Sequence, residues 1–359
     1  MEKEIVVKYE AEETMVAVME DQQLAEIYFE REEKHRFMGN IYWGIVETVL
    51  PGMQASFINM GEEKNGFLYI NDAVPKLLDD DGNVKEPTQR IDQVLKQGQR
   101  ILVQIMKEPV GTKGARVTTH PTLPGRYLVL MPTVSYVSIS RRIEDETERE
   151  RLKTITQGLL PKQMGAIIRT VAVGVSQEEI QKDLEELVRR WQQIQQRANQ
   201  AKAPSLVYQD SDLLERMVRD LFVGEIAKIH VNSEICKAKI QDILERVLPQ
   251  IKERVVIARR DIMDVYDLSY QLNKALQPKV WLKCGGYLIV EHTEALTAID
   301  VNTGKFVGER NLDATVLQTN LEAAVELARQ IRLRNLGGII IVDFIDMKSE
   351  ADKQQVLAC

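Results

Sequence analysis

The chain has 359 residues, 44% of them hydrophobic and 28% charged, and this globular composition predicts two or three domains and excludes a wholly disordered or fibrous protein. Its net charge of −7 does not by itself indicate a nucleic-acid binder, although charge can be concentrated locally. Three widely spaced cysteines, and no apolar run near the roughly 18 residues of a membrane helix, predict a cytoplasmic protein without a membrane segment.

The first 30 residues predict a three-stranded meander, with acidic turns between the strands Glu4–Tyr9, Met15–Glu20 and Leu24–Phe29. Three strands do not form a stable unit unless another part of the chain covers one of their faces. The meander must therefore find its partner elsewhere in the chain.

Short strands separated by Gly, Pro and Asn turns follow, and one long acidic connection, Asp79–Glu86, interrupts them. The strands are Gly39–Val49, Ala55–Met60, Gly66–Ile70 and Ile101–Lys107. This pattern predicts a small barrel of the OB type over residues 37–125. Phe57 and Phe67 flank its hairpin, and Lys113 lies in a glycine-flanked loop. Such groups stack unpaired bases and contact backbone phosphate, although both phenylalanines could instead fill the barrel core.

Positive charge is concentrated in residues 100–142, whose net charge is +6 within a chain of net charge −7. The stretch contains Arg100, Lys107, Lys113, Arg116, Arg126, Arg141 and Arg142 against the single acidic residue Glu108. A solvated surface usually mixes both signs of charge. A basic stretch next to a predicted OB barrel indicates a groove that follows a phosphate backbone.

Residues 126–208 mix the strands Tyr127–Met131 and Ala166–Val171 with helices. Ser176 and Glu179 form a capping box that predicts a helix start. Apolar residues then repeat at helical spacing and predict a core face: Ile180, Leu184, Leu187, Val188, Trp191 and Ile194. Arg169 and Thr170, at a strand end, offer a guanidinium and a hydroxyl that could clamp a terminal phosphate, or else are ordinary surface residues.

Residues 209–276 alternate helix, strand and helix, at Leu213–Phe222, Glu225–Val231 and Ser233–Leu248. This segment could cover the N-terminal meander. The two segments would then form one domain that two insertions interrupt.

From Val280 onward the pattern is three strands, a long helix and a fourth strand. The strands are Val280–Cys284, Tyr287–His292, Thr297–Val301 and Ile339–Asp343, and we expect the last to be buried. The helix is Asp313–Arg334, with an apolar face predicted at Val316, Leu317, Leu321, Ala324, Leu327, Ala328 and Ile331.

Asp300 and Asp343 stand at the ends of strands that we expect to be neighbours. Two carboxylates that close together repel each other unless one is protonated or a cation lies between them. Their hard oxygen atoms suit Mg²⁺ or Mn²⁺, with Asn302 and Asp346 as outer ligands. The alternative is that these are ordinary strand-terminal aspartates that cap turns. Four scattered histidines give no support to histidine-based acid–base attack by a ribose hydroxyl.

Ordered sequence matches across the whole chain identify it as resembling the catalytic region of the ribonuclease E/G family. The matching stretches are Gly39–Tyr42, Val49–Phe57, Asn65–Leu68, Ile139–Ile143, Ile168–Thr170, Thr293–Asn302, Thr319–Ala324, Arg329–Arg334, Leu336–Gly338 and Asp343–Asp346. Each stretch alone is weak, but their order along the chain is specific.

The resemblance implies a mixed α/β, multidomain fold that agrees with the organisation predicted above. An RNase H-like domain would comprise 1–36 and 209–276, interrupted by an OB-type RNA-binding barrel at 37–125 and a 5′-monophosphate sensor at 126–208. A DNase I-like catalytic subdomain would occupy 277–359 and stop before its end in the longer relatives. Those relatives continue through a cysteine-rich zinc link, which this chain lacks, and into a dimerising domain. A homo-oligomer is expected for the longer proteins.

The resemblance also implies roles for individual residues. Asp300 and Asp343 fall on the metal-binding catalytic aspartates, and Asn302 on the asparagine that supports them. Phe57, Phe67 and Lys113 fall on positions that hold the RNA strand. The pocket for a 5′-monophosphate would be formed by Arg169 and Thr170, with Val129 and Arg141 nearby.

The implied function is an Mg²⁺-dependent endoribonuclease of RNA processing, including ribosomal RNA processing and messenger RNA decay. It would cut single-stranded, AU-rich RNA, prefer 5′-monophosphorylated ends, and leave a 3′-hydroxyl and a 5′-phosphate. The lack of a long extension before residue 1 favours the shorter G-type member. Two alternatives stay open: an RNA-binding module that does not cleave, and a metal-dependent phosphatase or deoxyribonuclease.

Overall fold

The computed structural model describes residues 2–31, 37–74, 89–109, 113–222, 226–304 and 312–359, without the side chain of Leu312. The acidic connection predicted at Asp79–Glu86 lies outside the described residues. In this part of the chain no helix combines the length and apolar character that crossing a membrane demands.

The strands are β1 (Lys3–Tyr9), β2 (Glu13–Glu20), β3 (Gln23–Arg31), β4 (Ile41–Leu50), β5 (Ala55–Asn59), β6 (Gly66–Tyr69), β7 (Arg100–Lys107), β8 (Arg116–Thr118), β9 (Leu123–Pro124), β10 (Leu128–Met131), β11 (Val137–Ile139), β12 (Gly165–Ile168), β13 (Ser205–Tyr208), β14 (Ile226–Val231), β15 (Val255–Ile257), β16 (Lys279–Trp281), β17 (Tyr287–His292), β18 (Leu296–Asn302) and β19 (Ile339–Asp343). The α-helices are α1 (Ile70–Ala73), α2 (Ile91–Val94), α3 (Glu146–Leu159), α4 (Gln177–Gln200), α5 (Leu213–Asp220), α6 (Glu234–Val247), α7 (Leu268–Ala275), α8 (Leu312–Leu333) and α9 (Glu350–Ala358).

The chain divides into two compact units, one formed by Met1–Glu33 with Phe222–Cys359 and the other by Lys34–Leu221. Both units contain helices and sheets, so the prediction of a mixed α/β fold is confirmed at that level. The finer assignments, an RNase H-like domain and a DNase I-like subdomain, stay predictions.

In the first unit the N-terminal meander gains two further strands from a distant part of the sequence. The sheet order is β15-β14-β1-β2-β3, with β14 parallel to both β1 and β15. Buried side chains of the meander, among them Val6, Met15 and Leu24, pack with Ile262 and Leu268 from the region of α7. The covering that three strands alone lack is therefore supplied within this unit.

The second sheet of this unit has the order β16-β17-β18-β19, and α8 covers one of its faces. Its core contains Val280, Leu282, Leu288, Val290, Ile299, Val301, Ala323 and Leu327. The expectation that Ile339–Asp343 is a buried strand is wrong, because β19 is the edge strand and leaves one face open. Ile339 is 62% exposed and Ile341 54% exposed, while Ile340 and Val342 point toward the core.

The apolar face predicted for α8 is only partly the buried one. Val316 and Leu327 are buried, but Ala328 is exposed, and four polar side chains share the interior: Thr315, Thr319, Asn320 and Gln330. These polar groups are accommodated through hydrogen bonds, as from Thr319 to the Thr315 carbonyl at 2.8 Å. The buried stripe is therefore rotated relative to the stripe of apolar residues.

In the second unit five strands close into a barrel in the order β4-β5-β6-β8-β7, because β7 pairs back onto β4. Strand β13 adds to the outside of this ring by pairing with β4. The barrel interior contains Tyr42, Val46, Ile58, Leu68, Val103, Ile105 and Val117. The closed five-stranded ring is consistent with the predicted OB type.

The remainder of the second unit is a four-stranded sheet, β11-β12-β10-β9, packed against α3 and α4. The Ser176 hydroxyl accepts a hydrogen bond from the backbone N–H of Glu179 and caps α4, as the capping box predicts. The predicted apolar face of α4 is confirmed, since Ile180, Leu184, Leu187, Trp191 and Ile194 are all buried.

Candidate functional site

Asp300 and Asp343 are direct neighbours on adjacent parallel strands of the second sheet. They stand opposite each other in the register between β18 and β19, and adjacent strands lie about 4.8 Å apart. Both side chains are exposed. Their strand neighbours Ile299 and Val342 point into the core under α8, so the two carboxylates lie together on the opposite, open side of the sheet. We call this side the aspartate face; it carries Trp281, Tyr287, Asp300, Asn302, Ile341 and Asp343.

Asn302 holds the carboxylate of Asp300. Its Nδ2 donates a hydrogen bond to Asp300 Oδ2 at 2.7 Å, which leaves the other carboxylate oxygen of Asp300 and the Asn302 amide oxygen available to a ligand on the aspartate face. The turn that precedes β17 lies close behind, because a Cβ on Gly286 would come within 2.7 Å of the Asn302 carbonyl oxygen. Glycine at this position permits the approach.

Asn320, on α8, holds the segment that follows Asp343, although it was not among the predicted site residues. Its side chain is fully buried and makes two hydrogen bonds to Ile345, donating to the carbonyl at 2.8 Å and accepting from the backbone N–H at 3.1 Å. Hydrophobic periodicity does not mark it, because polar residues surround it in the helix and a buried amide is recognised only by its hydrogen-bond partners. Asn320 therefore fixes the chain between Asp343 and Asp346, whose side chain is exposed.

The donors on the aspartate face fit a hard divalent cation that keeps much of its water. Within the described residues no group of three or more His, Cys, Asp or Glu side chains could hold a metal ion. Mg²⁺ does not need such a cage, because it is commonly bound by one or two carboxylates and several waters. The aspartate face provides two carboxylates, those of Asp300 and Asp343, and in addition the free amide oxygen of Asn302.

The aromatic residues predicted on the barrel point outward rather than into its core. Phe57 and Phe67 face each other across β5 and β6, with ring centroids 5.5 Å apart in an edge-to-face arrangement. Phe57 is 36% exposed, while its neighbours Ile58 and Leu68 are fully buried in the barrel. The alternative in which both phenylalanines fill the core is therefore wrong.

Tyr69 extends this aromatic row, although it was not among the predicted site residues. Its ring centroid lies 4.7 Å from that of Phe67, it is 40% exposed, and the Arg116 guanidinium sits 5.3 Å from its centroid. Strand alternation from Phe67 to Tyr69 is the signal that would have found it. The outward row thus consists of Phe57, Phe67 and Tyr69 beside one cation.

Lys113 is exposed and stands at the end of this row. The next residue, Gly114, approaches the hairpin before β6 so closely that a Cβ would lie 2.0 Å from the Asn65 carbonyl oxygen. Two residues further on, Arg116 pairs in register with Phe67. The close approach at Gly114 therefore places Lys113 beside the start of the strand that carries Phe67.

The concentrated positive charge of residues 100–142 is spread over two sheets and is partly neutralised. The stretch runs from β7 of the barrel to the turn after β11. Arg116 forms an ion pair with the buried Asp72 at 2.8 Å, so it does not contribute a free positive charge. Arg100, Lys107, Lys113, Arg141 and Arg142 are exposed.

The residues predicted to bind a 5′-phosphate meet at one edge of the sheet formed by β9 to β12. Strands β11 and β12 are parallel, so Ser140–Arg141 and Arg169–Thr170 follow neighbouring strand ends. The hydroxyls of Ser140 and Thr170 lie 3.0 Å apart. Val129, on β10, pairs with Ile167 one residue further inside. The structure brings these four predicted residues together and adds Ser140, which the prediction omitted.

Arg169 is held in place by two acceptors. It donates to the Gly125 carbonyl at 2.7 Å and forms an ion pair with Asp220 at 2.7 Å. Burial disfavours the ionised form of Asp220, but hydrogen bonds and positive charge from Arg219 and Arg169 outweigh it and lower the pKa of that carboxyl. Asp220 is therefore ionised at neutral pH, and the ion pair is lost only in acid, as the pH falls through the lowered pKa.

The loop that presents Arg169's partner Gly125 is itself anchored by Asp183 of α4. The Asp183 carboxylate accepts backbone hydrogen bonds from Arg126, Tyr127 and Leu128 at 3.1, 2.8 and 3.3 Å. Burial raises the pKa of Asp183, and these three bonds oppose the rise. The edge of the sheet is thus a preorganised set of groups rather than a collection of loose surface side chains.

The sequence model of the Ribonuclease E/G family matches residues 122–359, which include the predicted phosphate-binding edge and the aspartate face. The chain belongs to the ribonuclease E/G family. The prediction from the ordered motifs is therefore confirmed.

Three members of the ribonuclease E/G family match nearly all of the chain. Ribonuclease G of Haemophilus influenzae is 41% identical over 358 residues, 99% of this chain and 73% of that protein. Ribonuclease G of Escherichia coli K12 is 42% identical over 361 residues, 99% of this chain and 74% of that protein. Ribonuclease E of a Nostoc species is 41% identical over 355 residues, 95% of this chain and 51% of that protein. These relatives support the enzyme class that the sequence predicts, an endoribonuclease.

Proposed function

We propose that this chain is a divalent-metal-dependent endoribonuclease that cleaves single-stranded, AU-rich RNA and prefers 5′-monophosphorylated ends, in RNA processing and messenger RNA decay. The observation that carries the proposal is the in-register pair of exposed carboxylates, Asp300 and Asp343, with Asn302 bonded to the first. A cytoplasmic location and a homo-oligomeric state are further predictions from the family resemblance.

The carboxylates of Asp300 and Asp343 would hold the metal, Mg²⁺ or alternatively Mn²⁺, and Asn302 would orient Asp300. A bound divalent cation supplies stabilisation of the charge that develops on the scissile phosphate and promotes attack by water. Asn320 would act indirectly, because its hydrogen bonds to Ile345 fix the backbone that follows Asp343. Cleavage by this route leaves a 3′-hydroxyl and a 5′-phosphate.

The histidines in the same compact unit as Asp300 and Asp343 support water rather than the ribose 2′-hydroxyl as the attacking group. His292 pairs with Thr297, and its Nδ1 lies 3.1 Å from the hydroxyl of that buried threonine, on the side of the sheet away from Asp300. His230 lies in the other sheet, beside Glu4. Neither described histidine is placed to take a proton from a ribose on the aspartate face.

The barrel would bind the RNA strand through its outward aromatic row. Aromatic side chains stack unpaired bases of any sequence, and a neighbouring lysine contacts the backbone. Phe57 and Phe67, with Lys113 beside them, form such a surface, and Tyr69 extends it.

The preference for a 5′-monophosphate would come from Arg169 and Thr170, with Arg141 beside them. The ion pair to Asp220 and the bond to Gly125 fix the guanidinium, which lowers the entropy lost when it binds a phosphate. The Thr170 hydroxyl adds a second donor at the same strand end.

We expect Arg169→Gln to abolish the advantage of a 5′-monophosphate over a 5′-hydroxyl end. The measurement is kcat/KM on two RNAs that differ only in this group. A charge-assisted phosphate contact is worth about 1.5–3 kcal/mol, so the wild-type preference should be roughly 10- to 100-fold. Arg142→Gln, which removes an adjacent exposed arginine, is the matched control and should keep the preference. Equal losses on both RNAs would assign Arg169 a structural role.

The proposed function is tested with a short, 5′-monophosphorylated, AU-rich RNA and its DNA counterpart. We expect cleavage of the RNA with Mg²⁺, no cleavage with EDTA, and a new 5′-phosphate on the downstream product. Binding of the RNA without cleavage would replace the proposal by an RNA-binding module. Equal cleavage of the DNA would indicate a less specific metal-dependent nuclease.

A further inference from the structure

The aspartate face carries an aromatic pair in addition to its carboxylates. In the register of the sheet, Trp281 stands opposite Tyr287, and Tyr287 stands opposite Asn302. In the neighbouring row, Lys279 stands opposite Ile289, and Ile289 opposite Asp300. Cross-strand partners point to the same side of a sheet. A continuous surface therefore runs from Trp281 through Tyr287 and Asn302 to the two aspartates.

The two rings form an exposed platform, and the ammonium group of Lys279 gives it a positive charge. Their centroids lie 5.3 Å apart at an angle of 64°, and Trp281 is 51% exposed. Lys279 Nζ lies 4.1 Å from the centroid of the Trp281 ring and 3.6 Å from that of Tyr287. Packing under α8 does not require these rings, because the core of this sheet is on its opposite face. Half-exposed aromatics on an open face are typical of a binding surface.

The position of the platform favours a nucleic-acid base as its ligand. Tyr287 is one strand away from Asn302, about 5 Å, and Trp281 is about 10 Å away. The bases of a single strand stack on exposed aromatic side chains, and a nearby ammonium group suits the negative backbone. The carboxylates bind the cation, and the aromatic rings next to them are suited to the uncharged part of the same nucleotide chain.

We propose that Trp281 and Tyr287, with Lys279, stack one base next to the phosphate that is cleaved at Asp300 and Asp343. The inference rests on the proposed endoribonuclease function and adds to it a binding position on the catalytic sheet itself. This platform would select for a stacked base at one fixed position relative to the cut. It is distinct from the aromatic row of the barrel.

The test is a scan of abasic positions. A cleavable RNA is made in versions that each lack one base near the cleavage site, and kcat/KM is measured for each version. Wild-type protein should lose about 10-fold at one position, the effect expected for a lost base stack. Trp281→Ala should lose about as much on the complete RNA and nothing further on that abasic RNA. Trp281→Phe should keep most of the wild-type dependence.

The matched control is Tyr270→Ala, which removes another exposed aromatic residue, 67% exposed and on α7 rather than on the aspartate face. It should keep the abasic penalty. If Trp281→Ala cleaves RNA and retains the full penalty, the platform is overturned while the nuclease stands. If wild-type protein cleaves no RNA, the proposed function fails and the platform fails with it.

Discussion

Asp300→Asn and Asp343→Asn should each reduce RNA cleavage by at least about 10³-fold while leaving RNA binding close to that of the wild type. Each change removes one of two charged ligands from a cation whose stabilisation of a developing charge is worth several kcal/mol. RNA binding depends on other residues, those of the barrel and those around Arg169, so only the rate of the chemical step should fall. Cleavage is measured under single-turnover conditions, and binding by fluorescence anisotropy in EDTA.

The double variant and the metal dependence make this prediction sharper. Because both carboxylates act through one ion, the double variant should lose little more activity than either single variant. Mg²⁺ should raise the melting temperature of the wild type and not that of the variants, because binding to the folded state stabilises it. Glu294→Gln removes an exposed carboxylate from the turn between β17 and β18, and it should change neither the cleavage rate nor the effect of Mg²⁺ on the melting temperature. Wild-type cleavage rates in both aspartate variants would show that the site is misassigned.

The sequence predicted the regular elements of the chain well where local periodicity was strong. The strands of the meander, four of the five barrel strands, and helix α4 with its Ser176 cap agree with the structure to within a few residues, whereas the short barrel strand β8 was not predicted. It failed at β19, where five consecutive residues, Ile339–Asp343, looked like a buried strand. An apolar run does not show whether both faces of a strand are covered, and Ile339 and Ile341 are exposed because they point away from the core, to the open side of the sheet.

Helix α8 shows a second limit of periodicity. Counting only apolar residues predicted a face through Leu321 and Ala324, whereas Asn320 and Thr319 are fully buried. Polar side chains enter a core when their hydrogen bonds are satisfied, and the partner of Asn320 is the backbone of Ile345, 25 residues away. A pattern of hydrophobicity contains no information about such a partner.

The candidate site was predictable to the extent that strand ends determine it. Carboxylates at the ends of neighbouring parallel strands converge, so Asp300 and Asp343 could be paired from the sequence. The supports of the other sites were not predictable, since they come from remote segments. Asp220, which binds Arg169, lies 51 residues further along the chain, and its carboxylate is held ionised by Arg219 as well.

The double change of Phe57 and Phe67 to Ala should weaken binding of single-stranded RNA by at least roughly 30-fold, because each of the two lost base stacks is worth about 1–3 kcal/mol. Both rings point outward from the barrel and stack edge to face. Binding is measured by anisotropy in the Asp343→Asn background, so that cleavage does not consume the RNA. The double variant should keep the salt dependence of the wild type, because no charge is removed. Lys113→Ala should instead reduce the magnitude of the negative slope of log K against log salt by about one.

Two controls separate base stacking from folding. Phe67→Leu keeps an apolar side chain on β6 but removes the aromatic face, so it should retain the melting temperature and still weaken binding. Phe29→Ala removes a comparably exposed phenylalanine, 44% against 36% for Phe57, from β3 of a different sheet, and should leave RNA affinity unchanged. If Phe67→Leu binds RNA as tightly as the wild type, apolar contact suffices at this position. If the double variant also retains full affinity, the outward row of the barrel does not bind the strand, and RNA binding must be assigned to other residues.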